Sequence, residues 1–155
     1  MKKIIIIFTV LLTACNSKKN SMTSTEIFPK GEPLSKDWFT GNAFLKPLIA
    51  RDKNNEFSAG SVTFEPGART NWHTHPKGQV LLVIEGHGLY QEKGKPAQII
   101  QKGDVVNIPE NVEHWHGASA TTTMVHVAIT NFKEDTQVTW LNPVTDEEYK
   151  TANEN

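Results

Sequence analysis

Four of the six histidines fall in two pairs with a single residue between the partners, His73 with His75 and His114 with His116. On a β-strand residues i and i+2 point to the same side, so each pair sends two imidazoles into one space. Neutral imidazole ligates zinc, manganese, iron, nickel and copper. No thiolate competes with it, because the one cysteine, Cys15, lies near the N-terminus. A histidine-rich site without cysteine favours a catalytic metal with open positions over a closed structural one. The other two histidines carry weaker signals. His126 shares a strand face with Thr122, Met124 and Ala128, a face expected to point inward, and a hydrogen-bonded wall residue is the plain alternative. His87, between Gly86 and Gly88, reads as a turn residue. Trp72 and Trp115 alternate with the paired histidines and are expected to face away from them, toward packing or a subunit interface.

Elements able to position these rings are legible as short apolar runs between turn signals. The expected strands are Phe44 to Ile49, Phe57 to Phe64, Arg69 to His75, Val80 to Glu85, Leu89 to Glu92, Ala97 to Ile100, Val105 to Ile108 and Thr123 to Thr130, with Gln137 to Leu141 less marked. Turns are expected at segments such as Glu65-Pro66-Gly67, Pro76-Lys77-Gly78 and Lys102-Gly103-Asp104. Short strands at this spacing make an all-β jelly roll or small barrel. Helix is minor: only Asp146 to Lys150, behind Thr145 as N-cap, reads as a terminal helical turn.

Gly67, His73-x-His75, Gln79 and Gly86, followed by Gly103, Pro109 and His114, resemble the two sequence blocks of the cupin superfamily. The resemblance implies a cupin jelly-roll β-barrel holding one divalent metal through His73, His75, Gln79 and His114. Two positions depart from the common pattern. Gln79 stands where a glutamate is usual, and Asn111 where a glycine is. A neutral amide leaves the site one unit more positive, which makes a stronger Lewis acid that binds its metal less tightly. The alternative for Gln79 is a hydrogen bond to a ligand histidine without contact to the metal.

Longer runs, among them Asp37-Trp38-Phe39-Thr40-Gly41, Trp72-His73-Thr74-His75-Pro76, His114-Trp115-His116-Gly117-Ala118 and Val144-Thr145-Asp146-Glu147-Glu148-Tyr149, resemble the small bacterial cupins that include the manganese-dependent hydroxynitrile lyases. That resemblance spans about Asp37 to Tyr149 and includes Gln79. It implies manganese first, with iron, zinc, nickel or cobalt as other candidates, and a homodimer or homotetramer. It also implies His116 and His126 as the catalytic residues beside the open coordination position, with His116 the general base toward a small cyanohydrin. By alternation Gly60, Val62 and Phe64 share one face and would line the pocket if that face is inward. A metal-dependent cupin dioxygenase and a non-catalytic protein binding a metal or small ligand are the competing expectations.

The N-terminus reads separately. Met1-Lys2-Lys3, the apolar run Ile4 to Leu12 and Leu12-Thr13-Ala14-Cys15 have the layout of a secretory signal and resemble the lipobox of bacterial lipoproteins. The expectation is a signal peptide over 1–14, a lipidated polar tether and N-terminal arm over 15–36, and a cupin domain over 37–150. Lipid on Cys15 would anchor the domain to a membrane of the cell envelope, on its periplasmic side. The chain is long enough for one core. Its 16 basic residues against 17 acidic ones leave a net charge of -1, which offers no surface for nucleic acid.

Overall fold

The structure, a computed structural model, describes residues 26–154. The expected signal, Cys15 and most of the tether lie outside the described residues. In chain order the elements are β1 Glu32–Pro33, β2 Phe39–Thr40, β3 Ala43–Ile49, β4 Phe57–Phe64, β5 Arg69–Thr70, β6 His73–Thr74, β7 Gln79–Glu92, β8 Gln98–Gln101, β9 Val105–Ile108, β10 His114–Ala118, β11 Met124–Asn131, β12 Thr139–Trp140 and the helix α1 Asp146–Asn153. This is the expected all-β barrel with a short C-terminal helix. Among the described residues no helix is long and apolar enough to cross a membrane.

Antiparallel pairing builds a sheet that curls on itself. Its first half runs β1-β3-β4-β11-β7, with β9 on the far side of β7. Its second half carries β7-β10-β5-β2, with β8 on β7 and the pair β6-β12 beside β10. One strand belongs to both halves. Residues 79–86 of β7 pair with β11, and 87–92 pair with β10 and β8.

This corrects the expectation of two strands with His87 in a turn between them: β7 bends without breaking. Gly86 takes a φ of +69°, and a Cβ there would sit 1.9 Å from the Thr123 carbonyl oxygen, so only glycine fits the corner. The neighbouring strand yields at the same level, with a register shift between Val125 and His126.

Arg69 to His75 is the reverse case, one expected strand that is two short ones. Backbone bonds from Asn71 to Trp38, from Trp72 to Asn142 and from Leu141 to Trp72 take that segment out of the ladder between β5 and β6. His75 therefore follows the strand end and does not lie within it. The sheet also takes in Glu32–Pro33, inside the segment read as the arm, and α1 runs to Asn153, past the expected boundary at 150.

Alternation along the strands separates two cores. Inside the barrel lie Phe64, Leu81, Val83, Tyr90, Ile108 and Met124. Outside the second half, Trp72, Leu89 and Trp115 pack against Val144, Tyr149 and Ala152, so α1 covers that face. Both tryptophans thus face away from the histidines, as expected, and into packing. Thr145 caps α1 reciprocally with Glu148. Buried Arg69 ties the helix down through Asp146 at 2.6 Å and the Val144 carbonyl at 3.0 Å, with its guanidinium over the Tyr149 ring.

Candidate metal centre

His73 on β6, His75 just beyond it, Gln79 at the start of β7, and His114 and His116 on β10 converge inside the barrel, all of them buried. His114 pairs across the ladder with His73, which sets their ring centres 4.2 Å apart. The His75 ring lies 5.0 Å from that of His73 and 5.5 Å from that of His114. His126 on β11 is fully buried and faces inward, 4.9 Å from His116 between ring centres.

Three of the rings are fixed by the main chain. Nδ1 of His73 faces the Asn71 carbonyl at 2.9 Å, Nδ1 of His114 faces that of Val112 at 2.8 Å, and Nδ1 of His75 faces that of Gln137. A nitrogen facing a carbonyl oxygen must carry the proton, so each ring turns a bare Nε2 away from the backbone. In His75 and His114 this Nε2 is buried without a hydrogen-bond partner. Gln79 behaves alike. Its amide nitrogen donates to Thr130 Oγ1 at 2.9 Å, and its Oε1 is buried and unpartnered. Orphaned acceptors cost stability unless something positive meets them.

His116 and His126 are held differently. His116 Nδ1 lies 3.3 Å from His126 Nε2, so these two rings are partnered with each other. One ring nitrogen each of His73, His114 and His116 lie within 4.8 Å of one another, a group able to hold a metal ion. That group contains His116 where the sequence placed His75.

All five imidazoles are neutral at pH 7 for one dominant reason, burial. It lowers His114 to about 4 and His126 to about 3, the Val112 carbonyl partly opposing the shift in His114. His73 and His116 fall well below the ordinary value, the nearby imidazoles adding to the effect of burial. His75 is lowered as well, against the pull of the Gln137 carbonyl. Neutral imidazole is the form that binds a cation.

Beside the rings opens a cavity of about 160 Å³. Gly60, Val62 and Phe64 line it as parity suggested, and Ala128 and Thr130 extend the His126 face. Leu45, Phe39 and Trp140 complete an apolar wall that the sequence did not disclose. Trp140 packs 4.9 Å from the His73 ring and stacks on Trp38 at 5.5 Å. The period-two extension of His126 to Ala128 and Thr130 was available as a signal. Nothing local marked Phe39 or Trp140.

Residues 60–130 match the family model described as the cupin domain. The (R)-mandelonitrile lyase of Granulicella tundricola is 46% identical over 114 residues, which is 74% of this chain and 87% of that protein. The chain belongs to the cupin family. A solved cupin-like protein from Thermotoga maritima shares 49% identity with a TM-score of 0.80, covering 84% of this chain and 98% of that one. A shorter stretch of 47 residues is 32% identical to the acireductone dioxygenase of Bacillus cytotoxicus, 28% of each protein. The donor set of this cupin fits the metal its family implies, since bare imidazole nitrogens and an amide oxygen meet in one buried space without other partners.

Proposed function

We propose that this cupin is a metal-dependent carbon–carbon lyase that cleaves and forms small (R)-cyanohydrins, with His73, His75, Gln79 and His114 as ligands of a manganese ion. The observation that carries this reading is the pair His116 and His126, set beside the orphaned donor atoms in a mainly apolar cavity. The likeness to a mandelonitrile lyase over most of both chains supports it. When bound, the metal supplies a Lewis acid that lowers the pKa of a substrate hydroxyl.

The remaining work falls to the chain. His116 takes the hydroxyl proton at Nε2, which requires its Nδ1 to carry a hydrogen and donate it to His126 Nε2. The carbon–carbon bond then breaks with its electron pair on the cyanide carbon, and the hydroxyl oxygen becomes the aldehyde carbonyl. The proton passes from His116 to cyanide, so acid and base are restored. Phe39, Val62, Phe64 and Trp140 hold an apolar substituent and exclude water. A dry cavity of about 150 Å³ accepts a benzene ring, so one aryl group matches the space.

The test is (R)-mandelonitrile cleavage by metal-loaded protein of known metal content. His116→Ala should abolish turnover while keeping about one metal per chain, and Gln79→Ala should lose metal and turnover together. Full turnover in His116→Ala would remove the assigned base. A second reading, a dioxygenase, draws on the stretch shared with acireductone dioxygenase. Oxygen uptake with an enediol, in the absence of cyanohydrin cleavage, would favour it.

A further inference from the structure

The three clamped histidines are not clamped alike. His73 and His114 each find their carbonyl two residues back in the chain, at Asn71 and Val112, so the segment that carries the ring also orients it. His75 finds its carbonyl at Gln137, 62 residues away. The main chain of His75 is held in place, its own carbonyl accepting from the amides of Asn111 at 2.9 Å and Gly78 at 3.2 Å. What remains to be set is the rotation of the ring, and the Gln137 carbonyl sets it by accepting from Nδ1. Gln137 lies in no strand. It stands between the bridge joining Lys133 to Thr136 and the start of β12, on a stretch that lines the cavity together with Val138 and Trp140. Its side-chain Oε1 accepts from the Ser58 hydroxyl at 2.8 Å, a half-buried bond that ties this stretch to β4.

We propose that Ser58 is a positioning residue for the metal, acting through Gln137 on the ring of His75. The contacts run from Ser58 Oγ to Gln137 Oε1, and from the Gln137 carbonyl to His75 Nδ1, which leaves His75 Nε2 bare beside the other donors. A carbonyl on an irregular stretch keeps its place only if that stretch is anchored, and β12 fixes it only from Thr139 onward. Ser58 continues the inward face of Gly60, Val62 and Phe64, and in the ladder it stands opposite Thr130 on β11. The Thr130 hydroxyl accepts from the Gln79 amide at 2.9 Å. Two neighbouring hydroxyls on one wall thus serve the two ligands on either side of the turn at 76–78, Thr130 holding Gln79 directly and Ser58 holding His75 at one remove. The proposal rests on His75 being a ligand, as in the function proposed above.

The test reads the metal and not turnover. Affinity for Mn²⁺, measured by competition with a chelator, should fall by roughly 10-fold in Ser58→Ala and in Gln137→Ala, the size expected when a group orienting a ligand is lost. The double variant should fall no further than either alone, because the two residues act in series. Ser58→Thr keeps the hydroxyl on a strand that suits a branched side chain, and it should restore wild-type affinity. Visible absorption of the Co²⁺-loaded protein reports ligand geometry. It should change in both single variants and return in Ser58→Thr, whereas a tie that only stabilises the fold would leave it unaltered. His75→Ala separates the two ways of failing. If that variant keeps its metal, His75 is not a ligand and the proposal falls with that assignment. If it loses its metal while Ser58→Ala and Gln137→Ala bind and absorb as the wild type does, His75 is a ligand and Ser58 does not position it. Additive losses in the double variant would overturn the path through Gln137. Far-UV circular dichroism checks folding, and should Ser58→Ala fail to fold, Gln137→Ala removes the same bond and carries the test by itself.

Discussion

The cavity holds two groups of histidines fixed in different ways. His73, His75 and His114 are clamped by main-chain carbonyls, and such a ring is as rigid as the strand or strand end that carries it. His116 and His126 are joined to each other at 3.3 Å. A ring with its Nδ1 proton committed to the backbone can only offer Nε2, which suits a permanent ligand. Two imidazoles that face one another can exchange which nitrogen carries the proton, which suits proton transfer. The difference lies in hydrogen-bond partners and not in burial, because all five are buried to a similar degree.

The largest expected effect separates these groups by metal content. His75→Ala and His114→Ala should each lower metal affinity by more than about 1,000-fold, because a neutral ligand is lost from an already neutral set. His116→Ala should retain the ion. The geometry contains its own rival, since His116 lies in the tightest trio with His73 and His114. If elemental analysis finds metal in His75→Ala and none in His116→Ala, the two groups exchange a member and the proposed base becomes a ligand.

A smaller effect concerns acid. Folding lowers His114 to about 4 through burial, against about 6.5 in an unfolded chain. Between those values the unfolded chain binds the proton and the folded one does not, so stability is complete above pH 6.5 and falls as the pH drops toward 4. His114 alone accounts for about 3 kcal/mol over that window, and its neighbours add to the slope. Urea unfolding of metal-stripped protein at a series of pH values measures it. A flat profile from pH 7 to 4 would mean that the rings are not held neutral by burial.

The sequence disclosed those parts of the molecule that carry a period. The His114/His116 pair, the inward parity of Gly60, Val62 and Phe64, the outward tryptophans and the capped helix follow from alternation and capping chemistry, and the structure places them accordingly. What stayed hidden has no period to read. β1 and β2 are two residues long, and they form because partner strands offer free edges. Gly86-His87-Gly88 has the composition of a turn, yet a ladder continues on either side of the corner and carries the strand through it. Phe39 and Trp140 reach the cavity from segments far apart in the chain, so only the closed barrel brings them to His73. The tautomers of the clamped rings depend on carbonyls such as those of Val112 and Gln137, which any residue type supplies.

The smallest effect tests whether Gln79 belongs with the clamped group. Its amide nitrogen is held by the Thr130 hydroxyl as the rings are held by carbonyls, and that bond aims Oε1 at the space the Nε2 atoms share. Thr130→Val keeps the side-chain shape and removes the acceptor. The amide donor is then left buried and unpaired at a cost of about 1 kcal/mol or more, or Gln79 turns and withdraws its oxygen. Either way metal affinity, read by competition with a chelator, should fall by about 10-fold, as expected when a residue orienting a ligand is lost. Restoration by Thr130→Ser, which returns the hydroxyl without the methyl group, would assign the loss to the hydrogen bond and not to packing. Unchanged affinity in Thr130→Val would take Gln79 out of the ligand set and leave three imidazoles to carry the metal.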